Sequence, residues 1–185
     1  MDESFQSYYG HHKLQYIQLL GGRERQDVHL FDGQLLDAKW LPDCSGFIVI
    51  SGNQPATTTL YNKNCEPAFE FGKRYRNTIR INAFSNIAMI GGFGNLKGDL
   101  DFWDLEKMKE ISNSSSYCAV STEWLPNGKH FFTAVLYERV KVDNEYRVIS
   151  ASGKTLFRCN LKNNQLNSVQ FKPRKDEEFK KPDLE

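Results

Sequence analysis

An all-β fold is predicted from three observations. Thirteen glycines, abundant Asn and Ser, and an aromatic content of 13% suit many short strands joined by turns and leave almost nothing for helices. The stretch from Gly91 to Asp104, GGFGNLKGDLDFWD, passes from a glycine-rich turn into an alternating strand that closes on Trp103-Asp104. Landmarks of this kind also recur: the series Trp40, Ile81, Trp124 and Phe171 steps by 41, 43 and 47 residues. A period of roughly 40–45 residues carrying four strands is that of a propeller blade. The predicted architecture is therefore a WD40-like β-propeller, partial, with three full four-stranded blades and a half blade at each end.

The elements follow in chain order. Residues 1–13 are polar and predict a flexible N-terminus. Leu14 to Leu19 and Gln26 to Phe31 read as two strands about a turn at Gly21-Gly22, and this half blade (14–31) supplies the last two strands of a preceding blade. LLDAKWLPDCSGFIVISG (35–52) opens the first full blade, at 35–72, with a strand, a Pro-Asp turn and a strongly apolar strand. NTIRINAFSNIAMIGG (77–92) opens the second, at 77–112, and VSTEWLPNGKHFFTAV (120–135) belongs to the third, at 119–159. A second series, Tyr61-Asn62, Trp103-Asp104 and Ile149-Ser150, ends the third strand of each unit and steps by 42 and 46 residues. Residues 168–171 predict the first strand of a following blade, the partial propeller spans 14–173, and the charged, proline-punctuated tail at 174–185 predicts disorder.

Composition narrows the function. A formal charge of +1 gives no global attraction to nucleic acid, so any electrostatic site must be local. Cys44, Cys65, Cys118 and Cys159 are widely spaced, with no Cys-x-x-Cys pair, which predicts reduced thiols without a zinc site or a disulfide framework. The N-terminus lacks an apolar signal core and no run approaches the length of a membrane span, so the expectation is a cytoplasmic protein with no membrane association.

Catalytic readings find little support. GGFGNLKG is superficially like a phosphate loop, but it lacks the Gly-Lys-Ser/Thr ending and the following helix, and reads as a strand-connecting turn. His11-His12 has no third ligand at suitable spacing, while His29 and His130 sit within strand patterns. No nucleophile–base or paired-carboxylate arrangement stands out. The expectation is a non-enzyme with no cofactor, metal or small-molecule substrate.

Blade geometry sorts the loops onto two faces. One face receives Lys73, Arg74 and Arg76 from residues 72–77, Lys97 from 92–98, and Arg139 and Lys141 from 136–145, with Tyr75, Phe93 and Tyr137 among them. Glu138, Asp143 and Glu145 dilute this surface, and the opposite loops are roughly neutral. Cations interleaved with stackable aromatics suit RNA backbone and unpaired bases. Lys73, Arg74, Tyr75, Arg76, Phe93, Lys97, Arg139 and Lys141 are accordingly the predicted RNA-binding face.

Several segments carry a resemblance. SYYGHHKLQYI (7–17), CEPAFEFG followed by RNTIR (65–80), GGFGNLKGDLDFWDLEKMKEIS (91–112), ERVKVDNEYRV (138–148) and LNSVQFKP (166–173) are similar, in order, to successive segments of the eukaryotic translation initiation factor 2A family. The chain departs from that pattern at SGNQPA (51–56) and at Val148-Ile149-Ser150. The resemblance implies the C-terminal third to half of a nine-bladed WD-type propeller. It also implies partners: the small ribosomal subunit, ribosomal or initiator transfer RNA, and other initiation factors, with support for initiator methionyl-tRNA delivery and no GTP hydrolysis. The alternative reading is a non-catalytic WD-type protein scaffold, such as the propeller of the scaffold component of initiation factor 3.

Overall fold

Tight turns between short apolar segments give fourteen strands and no helix among the described residues. The computed structural model describes residues 12–19, 25–31, 33–162, 164–172 and 179–183. Strands β1 (Leu14–Ile17) and β2 (Arg25–Val28) form a hairpin. Three four-stranded antiparallel meanders follow. The first blade is β3 (Leu35–Trp40), β4 (Gly46–Ser51), β5 (Ala56–Asn62) and β6 (Pro67–Arg74). The second is β7 (Thr78–Ile81), β8 (Ile87–Gly91), β9 (Asp99–Asp104) and β10 (Lys109–Ser115). The third is β11 (Ser121–Trp124), β12 (His130–Val135), β13 (Glu145–Ser150) and β14 (Thr155–Asn160).

The first two blades hide both faces of β4 (GFIVIS) and β8 (IAMIG), which explains why these strands are largely apolar and do not alternate. Ile48, Ile50, Leu60 and Phe71 of the first blade meet Ile79, Ala88, Ile90 and Trp103 of the second. On the other face of the second blade, Met89, Leu100 and Phe102 meet Trp124, Phe131 and Ile149 of the third. Burying such side chains stabilises by about 1.5–3 kcal/mol each relative to exposure. The N-terminal hairpin covers the outer face of the first blade through Val28 against Phe47, Val49 and Tyr61. Tyr61 Oη completes that contact by donating to the His29 carbonyl at 2.6 Å.

The repeat reappears as contacts between blades. Ile79 N–H donates to Asp37 Oδ2 at 2.8 Å, Arg80 Nε to the Thr122 carbonyl at 3.1 Å, and Asp43 N–H to Ser85 Oγ at 2.9 Å, each pair 42 residues apart. Equivalent positions of successive blades thus touch through their innermost strands and turns. Trp124 serves the same joint, its Nε1–H donating to the Arg80 carbonyl at 2.9 Å.

The Trp-Asp ending of β9 is architectural. Asp104 is buried and its Oδ1 accepts the backbone N–H groups of Glu106 and Lys107 at 2.9 Å each, closing the turn into β10. Trp103 stands edge-on to Phe71 at a centroid distance of 5.1 Å.

Both ends of the chain differ from the sequence expectation. β2 ends at Val28, three residues short of Phe31. Residues 168–171 form no strand, because no second strand of a following blade is present among the described residues to take their backbone hydrogen bonds; Phe171 instead packs edge-on against Phe132 at 5.2 Å. Within the tail expected to be disordered, residues 179–183 lie against the second blade, where a buried amide and a carboxylate receive them. The N-terminal residues 1–11, the turn at Gly21-Gly22 and tail positions 174–178, 184 and 185 lie outside the described residues. His12 is described, and its Nδ1 accepts the Leu35 N–H at 3.1 Å. No helix among the described residues is long and apolar enough to cross a membrane.

Candidate nucleic-acid interface

The loops between β6 and β7, β8 and β9, β10 and β11, and β12 and β13 interlock on one face. The loop at 92–98 is clamped on both sides. A Cβ on Gly92 would stand 2.3 Å from the Tyr75 carbonyl oxygen, and one on Gly98 would stand 2.3 Å from that of Ser116. Gly98 also has φ +89°, which L side chains rarely adopt. Gly98→Ala is therefore expected to destabilise the chain by about 1–3 kcal/mol, measured as a lower urea midpoint with unchanged slope.

Side-chain contacts divide the predicted residues. Arg76 is only 7% exposed; its Nε and Nη2 both donate to Asp101 Oδ2 at 2.8 Å, and its Nη1 donates to the Tyr75 carbonyl at 2.9 Å. Arg74 turns the same way, with Nη1 3.1 Å from Asp101 Oδ1 and Nη2 2.7 Å from Glu110 Oε2, and lies over the Trp103 ring. Hydrogen bonding to Glu110, reinforced by the Asp101 and Glu110 charges, pushes the Arg74 pKa above its ordinary value. Phe93 is 6% exposed and belongs to the core between the second and third blades. Burial on Asp101 thus removes Arg76 from the expected RNA-binding face and apolar packing removes Phe93, while Arg74, its side chain 41% exposed, stays at the surface but is paired with Asp101 and Glu110.

The remaining residues stay outside. Lys73, Lys97 and Lys141 are exposed, with Lys141 Nζ 4.3 Å from the Tyr137 ring centroid. Arg139 is exposed and reaches across the blade boundary, Nη2 donating to the Gly94 carbonyl at 3.0 Å. Tyr75 is 59% exposed. Tyr117, 72% exposed in the loop between β10 and β11, is a further aromatic that sequence reasoning missed. It lies 42 residues after Tyr75, the same interval that joins the blades, and that spacing could have found it. Dilution by acid is also smaller than expected. Glu145 is buried and faces Arg147 and Arg158, whose Nε groups donate to Oε1 at 2.6 Å and Oε2 at 2.8 Å. Exposed Tyr75 and Tyr117 rings with ammonium and guanidinium groups nearby can stack on bases and neutralise phosphates.

The sequence and fold have counterparts among known proteins. Residues 1–174 match the family model "Eukaryotic translation initiation factor eIF2A". Eukaryotic translation initiation factor 2A of Dictyostelium discoideum is 39% identical over 160 residues, covering 86% of this chain and 26% of that protein. The Caenorhabditis elegans factor of the same name is 35% identical over 175 residues, covering 94% of the chain and 31% of the relative. The chain therefore spans between a quarter and a third of the length of these relatives. Among solved structures, one described as a crystal structure of the eukaryotic initiation factor superposes with a TM-score of 0.70 at 26% identity, over 74% of this chain and 35% of that one. With the family model matching nearly its whole length, the chain belongs to the eukaryotic translation initiation factor eIF2A family.

Proposed function

We propose that this chain is a propeller segment of a cytoplasmic, non-catalytic initiation factor of the 2A type. In this reading the face bearing Lys73, Tyr75, Lys97, Tyr117, Arg139 and Lys141 contacts RNA of the small ribosomal subunit and so supports delivery of initiator methionyl-tRNA. The observation that carries it is the exposure of charge: Arg74 and Arg76 converge on the buried Asp101, while Lys73, Lys97, Arg139, Lys141 and two tyrosines are exposed on one face. Tyrosine stacking and phosphate neutralisation are the two contributions that single-stranded RNA recognition uses.

Co-sedimentation with small ribosomal subunits at two salt concentrations tests this. Four phosphate contacts predict a loss of affinity of about 50-fold between about 50 and 200 mM salt. The triple variant Lys97→Glu, Arg139→Glu, Lys141→Glu is expected to bind far more weakly, with the remaining salt effect reduced to about threefold. Binding that ignores both salt and these substitutions, in a variant with an unchanged circular dichroism spectrum, would overturn the RNA reading and point to a protein partner.

A further inference from the structure

On the opposite face, the turns of the second blade receive Lys181 and Pro182. Asn86, in the turn between β7 and β8, is 1% exposed. Its Oδ1 accepts from Asn82 Nδ2 at 2.8 Å, and its own Nδ2 donates to the Pro182 carbonyl at 3.1 Å. A buried amide donor aimed at a peptide carbonyl costs free energy when that carbonyl leaves, unless water replaces it. Next to it Lys181 Nζ pairs with Glu106 Oε1 in the turn between β9 and β10. Pro182 is buried, and Asp183 borders a cleft of about 530 Å³ between the second and third blades whose charged lining is mixed, with Lys109, Lys129 and His130 beside Asp104 and Glu110. Lys181 in turn borders a cleft of about 290 Å³ between the first and second blades. The segment therefore crosses the end of the second blade from one interblade cleft to the next.

Two successive residues meet complementary groups in register, a cation on Glu106 and a backbone carbonyl on the buried Asn86 amide, and Asp183 follows at the rim of the next interblade cleft. Proline in the middle keeps the segment extended and surrenders no N–H, since the site reads its carbonyl. We propose that this groove is a docking site for an extended Lys-Pro-Asp segment, and that residues 181–183 of this chain occupy it. The docked segment covers turns of the second blade on the face opposite the candidate RNA surface.

Backbone ¹⁵N relaxation on the whole 185-residue chain tests the proposal. Order parameters at Lys180, Lys181 and Asp183 are expected near the rigid value of about 0.85, falling below about 0.6 in Glu106→Lys. The exchanged pair Glu106→Lys with Lys181→Glu is expected to restore them. The Asn86 side-chain amide signals should shift in Lys181→Glu and return in the exchanged pair. Because Glu106 and Lys181 are exposed, neither change threatens the fold. Values below about 0.6 in the native chain would overturn docking, and equal values in Glu106→Lys and native protein would overturn the role of the Glu106 ion pair in it. Failure of the exchanged pair to recover would overturn the assigned register.

Discussion

Asp101→Ala is expected to destabilise the chain by about 3–5 kcal/mol, the cost of leaving a buried charge without its partner. Asp101 is 2% exposed, and its two oxygens hold Arg74 from one side and Arg76 from the other. Arg76 has nowhere to go: it is buried, and among the described residues its guanidinium keeps only the neutral carbonyl of Tyr75 as an acceptor. Arg74 keeps Glu110 and reaches solvent, so the loss concentrates on Arg76. In a domain of this size the melting midpoint should drop by roughly 10 °C. Adding Arg76→Met to Asp101→Ala should recover much of the loss, because removing both members of a buried pair spares the uncompensated charge. If the double variant is less stable than Asp101→Ala alone, the pair does not work in this way. Since Gln54 Nε2 donates to the Arg76 carbonyl at 2.7 Å, loosening Arg76 should also disturb the loop before β5.

This ion pair also marks where the sequence stops being legible. Blade strands could be read because each unit is local: a turn, an apolar run and a strand end recurring at a nearly constant interval. The interval even survives as hydrogen bonds between positions 42 residues apart. The direction of Arg74 and Arg76 is not local. It depends on Asp101 and Glu110, which lie in the next blade, 25 residues from Arg76 and 36 from Arg74 along the chain. A clue existed in β9, where Asp101 sits two residues before the inward Trp103 and so shares its face of the sheet. An acid on a buried face needs a partner, and the arginines at the end of the preceding blade are within reach. Phe93 misled for a different reason. Its ring fills the space that the missing Gly91 side chain leaves, where a Cβ would stand 2.5 Å from it, so the glycine that suggested an open loop in fact admits an aromatic to the core. The docking of residues 181–183 could not be read at all, because a charged tail has the same composition whether it is solvated or bound.

The second large effect is expected one residue along the same strand. Because successive side chains of β9 point to opposite faces, Asp101 and Trp103 address the first blade while Leu100 and Phe102 address the third. Phe102 is fully buried, with its ring centroid 5.6 Å from Trp124 and 5.8 Å from Phe131, and those two rings 5.2 Å from each other, all edge-to-face. Phe102→Ala removes the ring that both others share and leaves a cavity at the joint between blades, at an expected cost of about 3–5 kcal/mol. Phe102→Leu keeps an apolar group there and is expected to cost less than half as much. Hydrogen exchange distinguishes local from global loss. If the blades are semi-independent, amides of β11, β12 and β13 should lose protection in Phe102→Ala while those of β4 and β5 keep theirs, since the first blade meets the second through the untouched Trp103 face. Equal loss of protection in both blades would show instead that one cooperative unit spans the joint, and that β9 transmits the loss of Phe102 through to the ion pairs at Asp101.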